Sequence, residues 1–323
     1  MRFLRASPPA RTVIHLLRGF IWLCAAVALT LFLVSCLQNG APDVFVSKIW
    51  AATSLREVGR DRYPLDNTTA LNIVCSTANV HITVTDEPQL LVVNQTAGIY
   101  HAKIDALQVT RGKNTLTVAQ QAAAAGVQIL GMGVVSQEID IYLPASYHGD
   151  LSIQQTTGNV NISYDLSLRS LSLRLGNGSL KAQGITASGV TGQSARGSMS
   201  FSSLSCSKIS LSSTDGSLSA ARLYGAGHLS TVNGNITLGL NSLSGDLSVQ
   251  CGRAGIVASL AVDTFTAKLA ASAAGKVNCD LPLVYVSPSR RTASGSVGTA
   301  PAHTLSLVSA NSDVTVTRVK AKK

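Results

Sequence analysis

The sequence has little charge and few aromatic side chains. Of its 323 residues, 13% are charged and 5% are aromatic, and only three are glutamates, namely Glu57, Glu87 and Glu138. Aromatic side chains supply much of the buried area in bulky globular cores. We therefore expect a long, narrow core that is built from small and aliphatic side chains.

Motifs for catalysis and for cofactor binding are also lacking. There is no H-E-x-x-H, G-x-S-x-G or G-x-x-x-x-G-K sequence and no calcium-binding loop. We expect no catalytic residue, no cofactor and no metal ion. An enzyme that cleaves polysaccharide would need carboxylates that converge from neighbouring coils. The aspartates that could serve do not recur at one fixed position of the repeat described below: Asp150, Asp165, Asp215, Asp246, Asp263, Asp280 and Asp313.

The six cysteines do not form a recognisable disulfide or metal framework, because no two have C-x-x-C spacing. Cys75 follows Leu71 and Ile73 at intervals of two residues, and Cys251 follows Leu247 and Val249 in the same way. This alternation predicts buried thiols that act as small hydrophobic side chains. A disulfide between neighbouring coils is the alternative, which an exported protein could form.

The formal net charge of +10 is concentrated at the two ends of the chain. Residues 38–317 contain 18 basic and 16 acidic residues, so this central part is nearly neutral. No basic stripe is interleaved with aromatic residues, and we expect no nucleic-acid binding. The basic tail, residues 317–323, is interpreted as a solvated end, with contact to anionic lipid or wall polymer as the alternative.

A glycine-centred phrase recurs about every 19 residues. Its glycines are separated by 20, 19, 19 and 18 residues, and the phrase then continues more loosely to two further glycines. A period of this length is typical of stacked repeat architectures. The predicted repeat turn positions are Gly158, Gly178, Gly197, Gly216, Gly234, Gly275 and Gly295.

Each repeat combines a turn with alternating strands. Asn-Gly and Asp-Gly tolerate positive φ, and the x-Val-x-Ile alternation that follows sends every second side chain to one face. We predict units of strand, turn, strand and turn, each with about four inward apolar side chains. These contribute roughly 6 to 12 kcal/mol of burial per unit, against about 20 to 40 kcal/mol for ordering the backbone. One unit cannot fold alone, so the coils must stack.

The predicted fold class is therefore all-β, as a single-domain β-solenoid of roughly 19-residue coils over residues 65–316. A β-sandwich with turns every 8 to 12 residues is the competing architecture. The uncharged stretch 114–137 interrupts the repeat. We interpret it as a loop or as a cap over the apolar end of a coil, and as an exposed patch for a partner in the alternative.

An apolar run at residues 20–37 predicts a membrane anchor or signal segment. It contains 18 uncharged residues, which is about 27 Å of helix. Four arginines precede it in residues 1–19, so this basic segment is expected to be cytoplasmic and the chain after about residue 38 to lie outside. Residues 38–64 are interpreted as a linker.

The tetrapeptide Leu33-Val34-Ser35-Cys36 resembles the bacterial lipoprotein signal, which implies lipid attachment at Cys36. An uncleaved signal anchor, lipidation and ordinary cleavage all stay open, because cleaved signals are usually 15 to 30 residues long. All three place the repeat domain outside the cytoplasm, at the outer face of the cell membrane.

Two neighbouring segments carry a family resemblance. Residues 139–144 read I-D-I-Y-L-P, and residues 149–162 read G-D-L-S-I-Q-Q-T-T-G-N-V-N-I. They resemble the bacterial putative-adhesin β-solenoid family, which includes the LiaG-like envelope proteins. The resemblance implies an extracytoplasmic solenoid with an N-terminal anchor and with proposed roles in adhesion or envelope stress. It is a fold signature, so it implies no functional residues.

These observations favour a non-enzymatic binding or scaffolding module of the cell envelope. Its expected partners are the membrane, through residues 20–37, and an envelope polymer or a surface protein. The rival functions are an enzyme that acts on envelope polysaccharide and an element that self-assembles by end-to-end stacking. Converging acidic residues would favour the enzyme, whereas an uncovered terminal coil would favour self-assembly.

Overall fold

The computed structural model describes residues 55–97, 107–120, 136–271, 274–286 and 288–319, and these residues contain 21 strands and no helix. The strands are β1 (Arg56–Pro64), β2 (Ala70–Cys75), β3 (Asn79–Thr85), β4 (Gln89–Ala97), β5 (Gln108–Arg111), β6 (Thr115–Ala119), β7 (Ser136–Pro144), β8 (Asp150–Thr157), β9 (Val160–Asn177), β10 (Leu180–Arg196), β11 (Met199–Ser213), β12 (Leu218–Thr231), β13 (Ile236–Ser242), β14 (Leu247–Cys251), β15 (Ile256–Leu260), β16 (Phe265–Ala271), β17 (Val277–Cys279), β18 (Val284–Tyr285), β19 (Thr292–Val297), β20 (Thr304–Ser309) and β21 (Val314–Arg318).

The strands belong to one compact unit and stack as parallel coils. Val160 pairs with Leu180, which pairs in turn with Met199, and the next coils continue through Leu218 and Ile236. These pairs reproduce the 18- to 20-residue spacing of the glycines. The all-β solenoid predicted from the sequence is confirmed, and the β-sandwich alternative is wrong, because equivalent residues of successive repeats lie directly above one another.

Each central coil has three buried stretches instead of the two that we predicted. In β9, the buried positions fall within residues 160–162, 166–168 and 171–175. The strand continues through the corner between the first two stretches, where β9 has one residue more than β10 between Ile162 and Asp165. This bulge bends the strand without ending it. A coil therefore buries about seven side chains, more than the four that the sequence indicated.

The coils do not stack in chain order at either end. The coil of β6 and β7 lies outside the earlier coil of β2 and β3. The coil of β20 and β21 inserts between β14/β15 and β16/β17. Gly295 lies within β19, opposite Ala267, so its prediction as a repeat turn is wrong. The corresponding turn lies instead at Ser312 and Asp313, just before β21.

Antiparallel strands cover the ends of the stack. At one end, β4 and then β1 extend the sheet beyond β7, while β5 covers β6. At the other end, β19 and β18 extend it beyond β16. β1 falls in the segment 38–64 that we interpreted as a linker. Five of its nine residues are charged and its pairing contains a bulge, both of which discourage further strand addition.

The remaining terminal predictions have mixed outcomes. Arg318 does not belong to a solvated tail, because it ends β21, donates its backbone N–H to Asp280 and forms an ion pair with Asp263. The predicted anchor 20–37, Cys36 and most of the apolar stretch 114–137 lie outside the described residues. Within the described ranges, there is no helix that is long and apolar enough to cross a membrane.

The core is aliphatic, as the composition indicated, and Phe201 and Phe265 are its largest fully buried side chains. The thiols of Cys75, Cys206 and Cys251 are buried in it, and all four cysteines of the described part are free. This confirms the interpretation of buried thiols. Burial raises the pKa of the Cys75 and Cys206 thiols to about 12, because it disfavours the thiolate.

Candidate functional site

The predicted turn glycines lie at one edge of the coils, stacked above one another. A Cβ atom added to Gly178 would overlap with the carbonyl oxygen of Gly158, and one added to Gly197 would overlap with that of Gly178. The same overlap recurs at Gly216 and Gly234. Glycine is needed mainly for this close approach of backbones. Positive φ, which we had predicted, adds a second requirement at Gly158 (+117°) and Gly197 (+153°).

A Cβ at Gly275 would likewise overlap with the backbone of the coil beside it, at the carbonyl of Ser312. Gly275 lies two residues before the start of β17, as Gly178 does before β10, so its turn is built in the same way as those of the central coils.

The residue after the turn glycine connects each turn to the next. Asn159 accepts a hydrogen bond from the backbone N–H of Ser179 at 3.0 Å, and Ser179 accepts one from the N–H of Ser198 at 3.3 Å. Ser198 then accepts one from the N–H of Ser217 at 3.2 Å. Sequence reasoning missed this role, although the recurring Gly-Asn and Gly-Ser pairs carry the signal. These bonds fix the edge beside which the candidate site lies.

A buried polar residue lies three positions before each of several turns. Ser194 donates to the carbonyl of Gly197 at 2.9 Å, and Ser213 accepts from the N–H of Gly216 at 3.0 Å. Thr231 donates to the carbonyl of Gly234 at 2.5 Å. The hydroxyls satisfy turn backbone groups that would otherwise be buried without a partner. They fold the chain back sharply at this edge.

A groove of about 930 Å³ runs beside the turns, across the coils. It crosses eight strands, in the order β2, β8, β9, β10, β11, β12, β14 and β20. At about 4.8 Å per strand, its length is about 34 Å. The groove is therefore long enough for several units of an extended chain.

Two rows of side chains border this groove. The row that we call the amide row contains Gln154, Arg174, Gln193 and Gln250, with serines on the two coils between Gln193 and Gln250. The row that we call the small row lies two positions later and contains Thr156, Gly176, Ala195, Thr214, Val232 and Gly252. The inward residues between the rows, such as Ser194 and Ser213, form the floor. Long side chains thus face short ones across a shallow channel.

The groove combines polar and aliphatic side chains. Its lining contains hydroxyls, primary amides, the buried thiols of Cys75 and Cys251, aliphatic side chains and one guanidinium, that of Arg174, but no carboxylate, histidine or aromatic side chain. The backbone of the floor is already paired between coils. A ligand can therefore be held only by side chains and by contact with the small row.

The aspartates that a polysaccharide-cleaving enzyme would need are occupied at other places. Most of them accept hydrogen bonds from turns or pair with arginines. Asp150 binds Arg169 and Ser170, and the hydrogen bond from Arg169 lowers the pKa of the Asp150 carboxyl. Asp215 accepts from Asn233, Asp246 from the N–H of Thr304, and Asp313 from the N–H of Lys276. Asp165 lies at the β9 bulge, beside Gly184.

A second, smaller pocket of about 210 Å³ collects Asp66, Ser146 and His148. No hydrogen bond joins these three side chains, and Nδ1 of His148 contacts the carbonyl of Ser167 at 3.1 Å. Nucleophilic catalysis needs a base bonded to the nucleophile, so this pocket does not have that arrangement. Across the described strands and loops, no group of three or more potential metal ligands converges.

Fold and groove together define a β-solenoid with a long, shallow groove beside its turns. The Toastrack DUF4097 family matches residues 68–317, and the chain belongs to this family.

Several solved structures are similar to this chain, and each of those given below is described as a putative adhesin or cell adhesion protein. A putative adhesin from Bacteroides fragilis has 13% identity and a TM-score of 0.46, over 83% of this chain and 99% of that one. One from Parabacteroides merdae has 11% identity and a TM-score of 0.40, over 83% and 97%. A putative cell adhesion protein from Clostridium sporogenes has 10% identity and a TM-score of 0.31, over 82% and 100%. No curated protein matches the chain.

Proposed function

We propose that this protein is a membrane-tethered envelope protein whose β-solenoid binds an extended envelope polymer in the groove, without transforming it. The observation that carries the proposal is the register of the amide row across six successive coils. Residues 20–37 hold the protein in the membrane in a single pass, with the N-terminus inside and the solenoid outside, or a lipid on Cys36 anchors the protein at the outer face. The partner is a polysaccharide or a similar repetitive polymer.

A repetitive ligand fits the groove because the groove is itself repetitive. Each coil adds a similar set of hydroxyl or amide groups about 4.8 Å from the last. Single contacts of this kind are weak, but many of them on one chain raise the affinity by about 10² to 10⁴. A peptide strand is a poorer ligand, since strand addition needs free backbone groups that the floor lacks.

The two rival functions have less support. An enzyme that acts on polysaccharide needs two carboxylates about 5 to 10 Å apart at its cleft, whereas the lining of the groove has none. Self-assembly by end-to-end stacking needs an uncovered terminal coil. Antiparallel strands extend both ends of the described stack, and the outermost of them are charged, bulged or only two residues long.

Filling the groove should abolish polymer binding. Ala195→Trp and Thr214→Trp place a bulky ring in the small row, at two exposed positions on neighbouring coils. We expect each variant to lose at least tenfold in affinity for isolated wall or surface glycans, measured by co-sedimentation of the full-length protein in neutral detergent. Thr237→Trp is the matched control, because Thr237 is exposed and lies outside the groove.

The same samples test for catalysis. Soluble products are measured beside the sedimented protein, and new oligosaccharide ends would contradict the non-enzymatic proposal. Equal binding by the two groove variants and the control would show that the groove is not the binding site.

The proposed topology has a separate test. Protease added to intact cells should digest the chain after residue 38 and should spare the N-terminal arginines, because the positive flank stays inside. Cys36→Ala separates the two anchoring modes: it should remove a lipid-dependent mass shift if Cys36 is lipidated, and leave processing unchanged if residues 20–37 are a signal anchor. A protected solenoid would contradict the outside location.

A further inference from the structure

Three arginines beside the groove have no acidic partner. Arg174 belongs to the amide row, and Arg196 and Arg253 directly follow the small-row residues Ala195 and Gly252. All three are exposed. Within the described ranges, none of them lies within 4 Å of a carboxylate. Arginines without an ion-pair partner therefore lie on both borders of the groove, Arg174 on the side of the amide row and Arg196 and Arg253 on the side of the small row.

Several arginines elsewhere are neutralised, since Arg60 pairs with Glu57, Arg62 with Glu87 and Arg318 with Asp263. Others, such as Arg222, have no acidic partner either. The solenoid as a whole is also nearly neutral, as the sequence showed. A protein with few charges overall leaves three guanidinium groups unpaired around one channel.

The acidic residue nearest to this row in the repeat forms no ion pair with these arginines. Asp215 occupies the turn position that corresponds to Arg196 on the next coil, and it accepts a hydrogen bond from the amide of Asn233. The guanidinium groups of Arg174 and Arg196 keep all of their donors for a ligand. A planar guanidinium binds a carboxylate or a phosphate through two parallel hydrogen bonds.

We propose that the polymer bound in the groove is acidic, a linear glycan or polyol chain with carboxylate or phosphate groups, and that Arg174, Arg196 and Arg253 bind these groups. This inference rests on the proposed function. Arg174 and Arg196 lie on neighbouring coils, about 5 Å apart along the stack, and Arg253 lies three coils further, about 14 Å away. Gln154, Gln193 and Gln250 bind the uncharged hydroxyls between the acidic groups.

The experiment compares polymers of different charge with full-length protein in neutral detergent. The probes are polygalacturonate, its fully methyl-esterified form and poly(glycerol phosphate). We expect both acidic polymers to bind at least tenfold more tightly than the ester, and the tighter of the two identifies carboxylate or phosphate as the preferred group. Binding should weaken as the salt rises from about 0.01 M to about 0.15 M, where the screening length falls from about 30 Å to about 8 Å.

Substitution of single arginines locates the effect. One charge is removed by each of the substitutions Arg174→Gln, Arg196→Gln and Arg253→Gln. The first of them also places at position 174 the same residue that its neighbours in the amide row have. We expect each to weaken acidic-polymer binding about fivefold and the triple variant about a hundredfold, with reduced salt dependence. Arg222→Gln is the control, because Arg222 is exposed, equally without an acidic partner and outside the groove.

Equal affinity for polygalacturonate and its ester would overturn the inference. So would full binding by the triple variant, or tighter binding of a single-stranded oligonucleotide than of either acidic polymer. If the ester binds and Thr214→Trp abolishes that binding, the proposed polymer-binding function stands while the acidic ligand is wrong. If neither tryptophan variant affects any polymer, the proposed function itself is wrong.

Discussion

Ile236→Asp should unfold much of the solenoid, with a loss of more than about 4 kcal/mol in the free energy of unfolding. Ile236 is fully buried, and it lies between Leu218 on one neighbouring coil and Ile256 on the other. An aspartate there has no hydrogen-bond donor of the core to meet it, so its charge would be desolvated without compensation. The loss spreads beyond one coil, because each coil is stabilised by contact with its two neighbours.

The matched control is the adjacent residue. Thr237 is exposed, so Thr237→Asp should change the stability by less than about 0.5 kcal/mol. Denaturant unfolding followed by circular dichroism measures both variants against the wild type. Equal sensitivity at the two positions would show that the inward and outward phase of this strand is assigned wrongly.

The phase of each strand was predictable because alternation is a local property. In a strand, every second residue points to the same face, so the apolar residues at positions such as Ile236 and Leu238 identify the inside without knowledge of the partners. The glycine spacing then gave the number of residues in one coil. The structure pairs residues of neighbouring coils at the same 18- to 20-residue offsets. Repeats therefore allow the fold to be predicted from sequence.

The middle corner of each coil was not predictable from turn residues. The chain bends at Asp165 while remaining a hydrogen-bonded strand, so no glycine or proline marks it in β9. The order of the coils at the ends also escaped prediction, because β21 pairs with β15 and β17 through contacts far apart in sequence. Local sequence patterns do not determine which coil lies next to which in the stack.

The groove could be predicted from the sequence only in part. The residues of its amide row are visible in the sequence. Their alignment depends on the register, which places Gln154, Arg174 and Gln193 on three successive coils. Arg174 carries no sequence signal of its own, since an unpaired arginine differs from a paired one only in its surroundings.

Gly197→Ala tests the stacking of turns, and we expect it to destabilise the protein by roughly 2 to 5 kcal/mol. Two costs add at this position. The new Cβ would overlap with the carbonyl oxygen of Gly178 in the coil beside it, and the φ of +153° disfavours any residue with a side chain. The turn can relieve the overlap only by separating from its neighbour, which would break the hydrogen bond from Gly178 N–H to the carbonyl of Arg196.

Gly189→Ala in the same strand-turn unit is the control. A Cβ there would have its nearest neighbour at 4.0 Å, the carbonyl oxygen of Lys208, and its φ lies outside the positive range. Because alanine restricts the unfolded chain more than glycine does, this variant should be neutral or more stable by up to about 1 kcal/mol. Thermal unfolding measures the stability of both variants, and hydrogen exchange at the turns can be measured in addition. If Gly197→Ala were as stable as Gly189→Ala, the turns would have room to separate, and the repeated glycine would not be required by the close approach of their backbones.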